Sequence, residues 1–130
     1  MPAHNKEQAA ALLQAGKRDL LTLQLLNETG RAPHETTGFH AQQACEKFIK
    51  AVLVLHGIIF ERTHDLIVLY QMLEAHRIGI PADMEKLRAL NSYAVQFRYE
   101  GCPIEMVASS ECETIATALG KWANDMYEEK

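Results

Sequence analysis

Apolar residues recur along this chain at steps of three and four, and strict alternation never persists. The first spacing gathers side chains on one face of an α-helix, whereas alternation would mark a half-buried strand. The pattern therefore predicts helix after helix. A first helix over about residues 6–26 carries Leu12, Leu13, Gly16, Leu20 and Leu23 on one face and stops at Asn27-Glu28-Thr29-Gly30. A second, over 34–56 behind Pro33, has the stripe Ala41, Ala44, Cys45, Phe48, Ala51, Val52 and Leu55, with Gly57 as its stop.

The third helix is predicted over 64–76, capped by Thr63, with Asp65 in its first turn where a carboxylate favours the helix dipole. Leu66, Leu69, Tyr70 and Leu73 point inward, and Gly79-Ile80-Pro81 breaks the chain. A fourth helix over 82–97 buries Leu87, Leu90, Ala94 and Phe97, and Gly101-Cys102-Pro103 follows. The last, over 104–127, uses Cys112, Ile115, Leu119, Trp122 and Met126. Short breaks between amphipathic helices imply antiparallel neighbours. The expected fold is all-α: an up-and-down helical bundle of four long helices plus one short helix.

The 130 residues suit a single domain, 1–130, and 48% apolar with 23% charged residues is a globular balance. A net charge of −4 argues against a general nucleic-acid or membrane-surface binder, while leaving room for a local basic patch. No stretch reaches the roughly 20 apolar residues of a membrane span, and the charged N-terminal segment does not read as a signal peptide. Three cysteines without metal spacing fit reduced thiols and a cytoplasmic location.

One feature of the second helix goes beyond core patterning. His40, Gln43, Lys47 and Lys50 follow steps of three, four and three, and so share a face beside the apolar stripe. Glu46 stands four residues before Lys50, the favourable order for a helical ion pair. An ordinary solvated flank would account for both. The alternative is a ligand site, since Arg62 and His64 stand at a predicted helix start, where free backbone N–H groups favour an anion such as phosphate. Arg98-Tyr99 forms a comparable polar cluster after the fourth helix.

The run Phe39-His40-Ala41-Gln42-Gln43-Ala44-Cys45-Glu46-Lys47-Phe48-Ile49-Lys50-Ala51, then Arg62-Thr63-His64-Asp65-Leu66, then Tyr93 through Arg98-Tyr99, resembles the HEPN domain (higher eukaryotes and prokaryotes nucleotide-binding). The resemblance extends over nearly the whole chain and includes Asp19-Leu20 of the first helix. It implies a five-helix bundle, commonly a homodimer, often encoded beside a minimal nucleotidyltransferase in a two-component or toxin–antitoxin pair. The family pattern falls on Gln42, Gln43, Glu46, Lys47 and Lys50, on His64 and Asp65, and on Arg98 and Tyr99. Where the family usually has proline after the Arg-Tyr pair, this chain has Glu100, with Pro103 three residues on.

Many HEPN proteins are metal-independent ribonucleases marked by an arginine, four to six residues, then a histidine. None of Arg18, Arg31, Arg62, Arg77, Arg88 and Arg98 has histidine at the required distance. A nuclease here would need a rearranged site, with Arg98 steadying the phosphate and His64 moving the proton. A bundle metal site would need Glu-x-x-His pointing inward, and only Glu61-Arg62-Thr63-His64 has that spacing, across a helix start. No metal and no cofactor are therefore expected. The sequence points to a binding module for nucleotide or RNA phosphate, for a nucleotidyltransferase partner, or for both. Its binding surface is Gln43, Lys47, Lys50, His64, Asp65, Arg98 and Tyr99. The rivals are the rearranged ribonuclease and a non-catalytic dimeric scaffold whose interface pairs Lys47 and Arg98 with acids such as Glu46 or Asp65.

Overall fold

The computed structural model describes residues 3–94 and 106–130. Among these there are five α-helices and no strand: α1 Ala3–Thr29, α2 His34–Leu55, α3 Leu66–Ala75, α4 Met84–Asn91 and α5 Ser109–Glu129. The all-helical up-and-down bundle is as the periodicity implies. Three of the described helices are long, at 27, 22 and 21 residues, and two short, at 10 and 8. Of the expected fourth helix over 82–97, α4 forms Met84–Asn91, and residues 95–97 of that range lie outside the described residues. Tyr93 and Ala94 turn back through N–H bonds to the carbonyls of Leu90 and Asn91, so helical register is lost there.

The axis of the bundle is α2, against which α1, α3, α4 and α5 all pack. All seven predicted stripe residues of α2 are buried, together with Ile49, Leu53 and Val54. Leu13, Gly16 and Leu23 of α1 and Cys112, Ile115 and Leu119 of α5 close the core, while Leu12, Leu20, Tyr70, Trp122 and Met126 are half-buried at its edge. Phe48 lies between α1 and α5. A β-carbon on Gly16 would stand 2.6 Å from its ring and one on Gly120 would stand 3.0 Å away. The two glycines thus allow both helices to close on one aromatic ring. Truncating such a fully buried ring typically costs about 3–5 kcal/mol.

The helix ends follow recognisable chemistry. Gly30 and Gly57 terminate α1 and α2 at φ +66° and +69°, the left-handed region that favours glycine. The start of α3 differs from the expectation. Asp65, not Thr63, is its capping residue: the Asp65 side chain accepts the Ile67 N–H at 2.9 Å, while Thr63 Oγ1 accepts the Asp65 N–H. His64 therefore stands outside the helix. Asp83 caps α4 in the same way, through the Glu85 N–H. The Lys6 ammonium donates to the Tyr127 carbonyl, tying the start of α1 to the last turn of α5.

Candidate functional site: a polar strip on α2

Residues seven apart on a helix lie nearly in line, two turns along. On α2 this aligns His40 with Lys47 and Gln43 with Lys50, with Glu46 along the far edge. Asp19 of α1 meets the first edge: its Oδ1 stands 3.0 Å from His40 Nδ1, and its Oδ2 accepts from the Lys47 ammonium. Glu46 meets the loop before α3. Its Oε2 is 3.0 Å from Lys50 Nζ, and its Oε1 and Oε2 are 3.0 and 3.1 Å from His64 Nδ1. Two carboxylates, each holding one lysine and one imidazole, thus flank the strip.

The depths of these groups differ by sign. The side chains of Glu46 and Asp19 are only 5% and 14% exposed, against 28% for Lys47, 25% for His40 and 47% for His64. Lys50, at 13%, lies level with the acids. The acids mostly lie below and the bases above, so the strip turns nitrogen outward. Burying Glu46 is tolerable only because both its partners are charged or hydrogen-bonding groups. A carboxylate only accepts, so each imidazole donates through Nδ1–H, and its Nε2 is the atom that gains or loses a proton.

A second layer fixes the loop. Gln42, fully buried, donates from Nε2 to the His64 carbonyl at 2.8 Å, and Gln43 Nε2 donates to Gln42 Oε1. Asn91 of α4 donates to Asp65 Oδ1 at 2.8 Å and accepts the Leu66 N–H at 3.0 Å. These contacts place the predicted residues plainly. Gln43, Lys47, Lys50 and His64 come together on one strip. Asp65 sits beside it with its carboxylate engaged in capping. Arg98 and Tyr99 lie outside the described residues.

The start of α3 is not an open anion site. Two of its first N–H groups are already held by Asp65 and Asn91, which replaces the expectation of free donors beside His64. Within the chain Lys47 pairs with Asp19 and Lys50 with Glu46, while Arg98, the other cation expected at a scaffold interface, lies outside the described residues. Asp19 and His40, which complete the first edge, carried no role in the sequence-derived binding surface. The signals for them were the placement of His40 in line with Lys47 and the inclusion of both residues in the family resemblance, which gave neither a role. Among the described residues, no group of three or more His, Cys, Asp or Glu side chains is arranged to hold a metal ion. No helix among them is long and apolar enough to cross a membrane.

Burial governs the two described cysteines. The Cys112 thiol is pushed up to about 11, chiefly by burial and then by Glu111, and burial raises Cys45 further, with Cys112 adding to it. Both are free thiols. Thiols held this firmly in the neutral form are poor nucleophiles and metal ligands, so the site's chemistry belongs to the strip.

The family model described as the HEPN domain matches residues 9–123. Over 58 residues, 45% of this chain, the sequence is 38% identical to "Putative toxin MJ1304" of Methanocaldococcus jannaschii, and the match spans 37% of that protein's own length. The fold is similar to that of ST0689, an archaeal HEPN homologue, with a TM-score of 0.61 over 92% of this chain and 98% of the other. At 21% identity that likeness is one of fold. With the family match running through α1, α2 and most of α5, the chain belongs to the HEPN domain family.

Proposed function

We propose that this protein is a binding module that holds the phosphate of a nucleotide or RNA on the α2 strip. In this reading it works as a homodimer in the cytoplasm, with a minimal nucleotidyltransferase as its partner in a toxin–antitoxin-type pair. The observation that carries the phosphate reading is the layering of charge. Acids underneath fix the side chains, and the outer edge offers the remaining N–H groups of Lys47 and Gln43 together with two imidazoles, with Lys50 deeper beside Glu46. Pre-oriented donors of this kind bind an oxyanion at low entropic cost. Family membership and the similarity to the protein described as "Putative toxin MJ1304" support the partner reading.

The test is Lys47→Gln, which leaves Asp19 its contact with His40. Affinity for a labelled single-stranded oligoribonucleotide falls about tenfold, as expected for one lost cation contact. Helical circular dichroism stays unchanged. Unaltered affinity in this variant overturns the site. Native mass spectrometry of protein purified gently from its own host tests the partner and dimer, which appear as a second chain or as a doubled mass.

A second reading rests on the Glu46–His64 pair. An imidazole held through Nδ1 by a carboxylate, with Nε2 outward, is an arrangement suited to proton transfer. The corresponding activity is RNA cleavage without added metal. It is lost in His64→Ala and absent from the outset if the strip only binds.

A further inference from the structure

We infer that the strip is a proton-coupled anion site, with Asp19 and His40 forming one half and Glu46 and His64 the other. This rests on the phosphate reading above and adds the condition under which the site is charged. Asp19 and Glu46 offset Lys47 and Lys50, so with neutral imidazoles the strip has no net charge. Taking up a proton on each Nε2 makes it doubly positive without moving any side chain, because each Nδ1–H contact to its carboxylate is kept.

The charged groups in contact with His40 are Asp19 on α1 and, through that shared carboxylate, Lys47 on its own helix. The Phe39 ring stands edge-on to it. His64 contacts Glu46, which also holds Lys50, and its loop neighbours are Arg62 and Asp65. Asp65 is drawn away towards Asn91 and the start of α3. Among the described residues, each ring therefore has one carboxylate on its inner nitrogen and no second acid paired with it. A phosphodiester arriving at Nε2 supplies the missing negative charge. Binding the anion and binding the proton then favour each other, as linkage requires. The sign follows: a proton on either imidazole adds positive charge at the anion, so affinity is greater at acidic than at alkaline pH.

The probe is a short 2′-O-methyl oligoadenylate, which resists cleavage and whose phosphodiesters keep a fixed charge between about pH 5.5 and pH 8. The expected result is binding at least tenfold tighter at the lower pH, with net proton uptake measured by calorimetry in buffers of different ionisation enthalpy. His40→Gln/His64→Gln, which retains both lysines, then binds with an affinity independent of pH and no proton uptake. Circular dichroism at both pH values confirms that wild type and variant stay folded. Equal wild-type affinity at both pH values, without proton uptake, overturns the coupling and leaves the phosphate site standing. No binding at either pH removes the site itself and the coupling with it.

Discussion

The ring of Tyr93 occupies the space where a side chain on Gly38 would begin: an added β-carbon would stand 2.3 Å from it. Both residues are buried, Gly38 in α2 and Tyr93 in the turn after α4. The Tyr93 hydroxyl pairs with His34 Nε2 and accepts the Val107 N–H at 3.0 Å, so one side chain joins the start of α2 to the approach to α5. Gly38→Ala cannot be absorbed by a ring held this way. It is expected to destabilise by about 1–3 kcal/mol through overpacking. Tyr93→Phe keeps the packing and strands the Val107 N–H, at about 1–3 kcal/mol. Urea unfolding of both variants, with the slope unchanged, checks the pair.

Glu46 and Lys50 provide a sharper case. Glu46→Ala leaves the nearly buried Lys50 ammonium without its acid, and breaking one partner of such a pair costs about 3–5 kcal/mol. Replacing both, as Glu46→Leu/Lys50→Leu, removes the charges together and recovers most of that loss. A double-mutant cycle by denaturant unfolding measures the coupling. Additive effects would mean that the pair contributes nothing beyond its separate side chains.

The ends of α2 and α3 share a pattern with different residues. Ile58 N–H reaches the Leu53 carbonyl past Gly57, and Ile78 N–H reaches the Leu73 carbonyl past Arg77. Arg77 is the single non-glycine residue at positive φ among those described, at 57°. A left-handed conformation costs an L-residue about 1–2 kcal/mol relative to glycine. Arg77→Gly is expected to raise the melting temperature by a few degrees, whereas Gly57→Arg lowers it. Thermal unfolding of the two reciprocal variants reads this directly.

Burial of the thiols gives stability a pH dependence. The Cys112 thiol ionises near its ordinary 9.0 when unfolded and at about 11 when folded, with burial the main cause. A raised value means its contribution is complete below pH 9 and is lost as pH climbs towards 11. Unfolding free energy should therefore fall across that window, and Cys112→Ala should flatten the fall. A profile unchanged by the substitution would assign the alkaline loss elsewhere.

How much of this was legible in the sequence depends on whether a contact is local. The α2 stripe was read residue by residue because its spacing alone buries Ala41, Cys45, Phe48 and Val52 on one side. The start of α3 was misplaced because Thr63 and Asp65 are both good capping residues two positions apart, and nothing local selects between them. The end of α4 was overrun because apolar spacing continues through Tyr93 and Ala94 after the helix has turned. For the site, helical spacing brought Gln43, Lys47 and Lys50 together, and the Thr-His-Asp run drew attention to His64. Asp19 escaped, since its meeting with Lys47 depends on the register between α1 and α2, which periodicity on either helix does not contain. Asn91 and Gly38 escaped for the same reason.

That register has a visible origin. Gly16 precedes Asp19 by three residues, and Phe48, which follows Lys47 on α2, sets its ring between α1 and α5 against Gly16 and Gly120. Gly16 leaves the place on α1 that the Phe48 ring fills, one helical turn before Asp19. The thickness of one benzene ring therefore sets the gap that Asp19 has to bridge. Shrinking that ring would close the gap and misalign the outer nitrogens without touching a single polar residue.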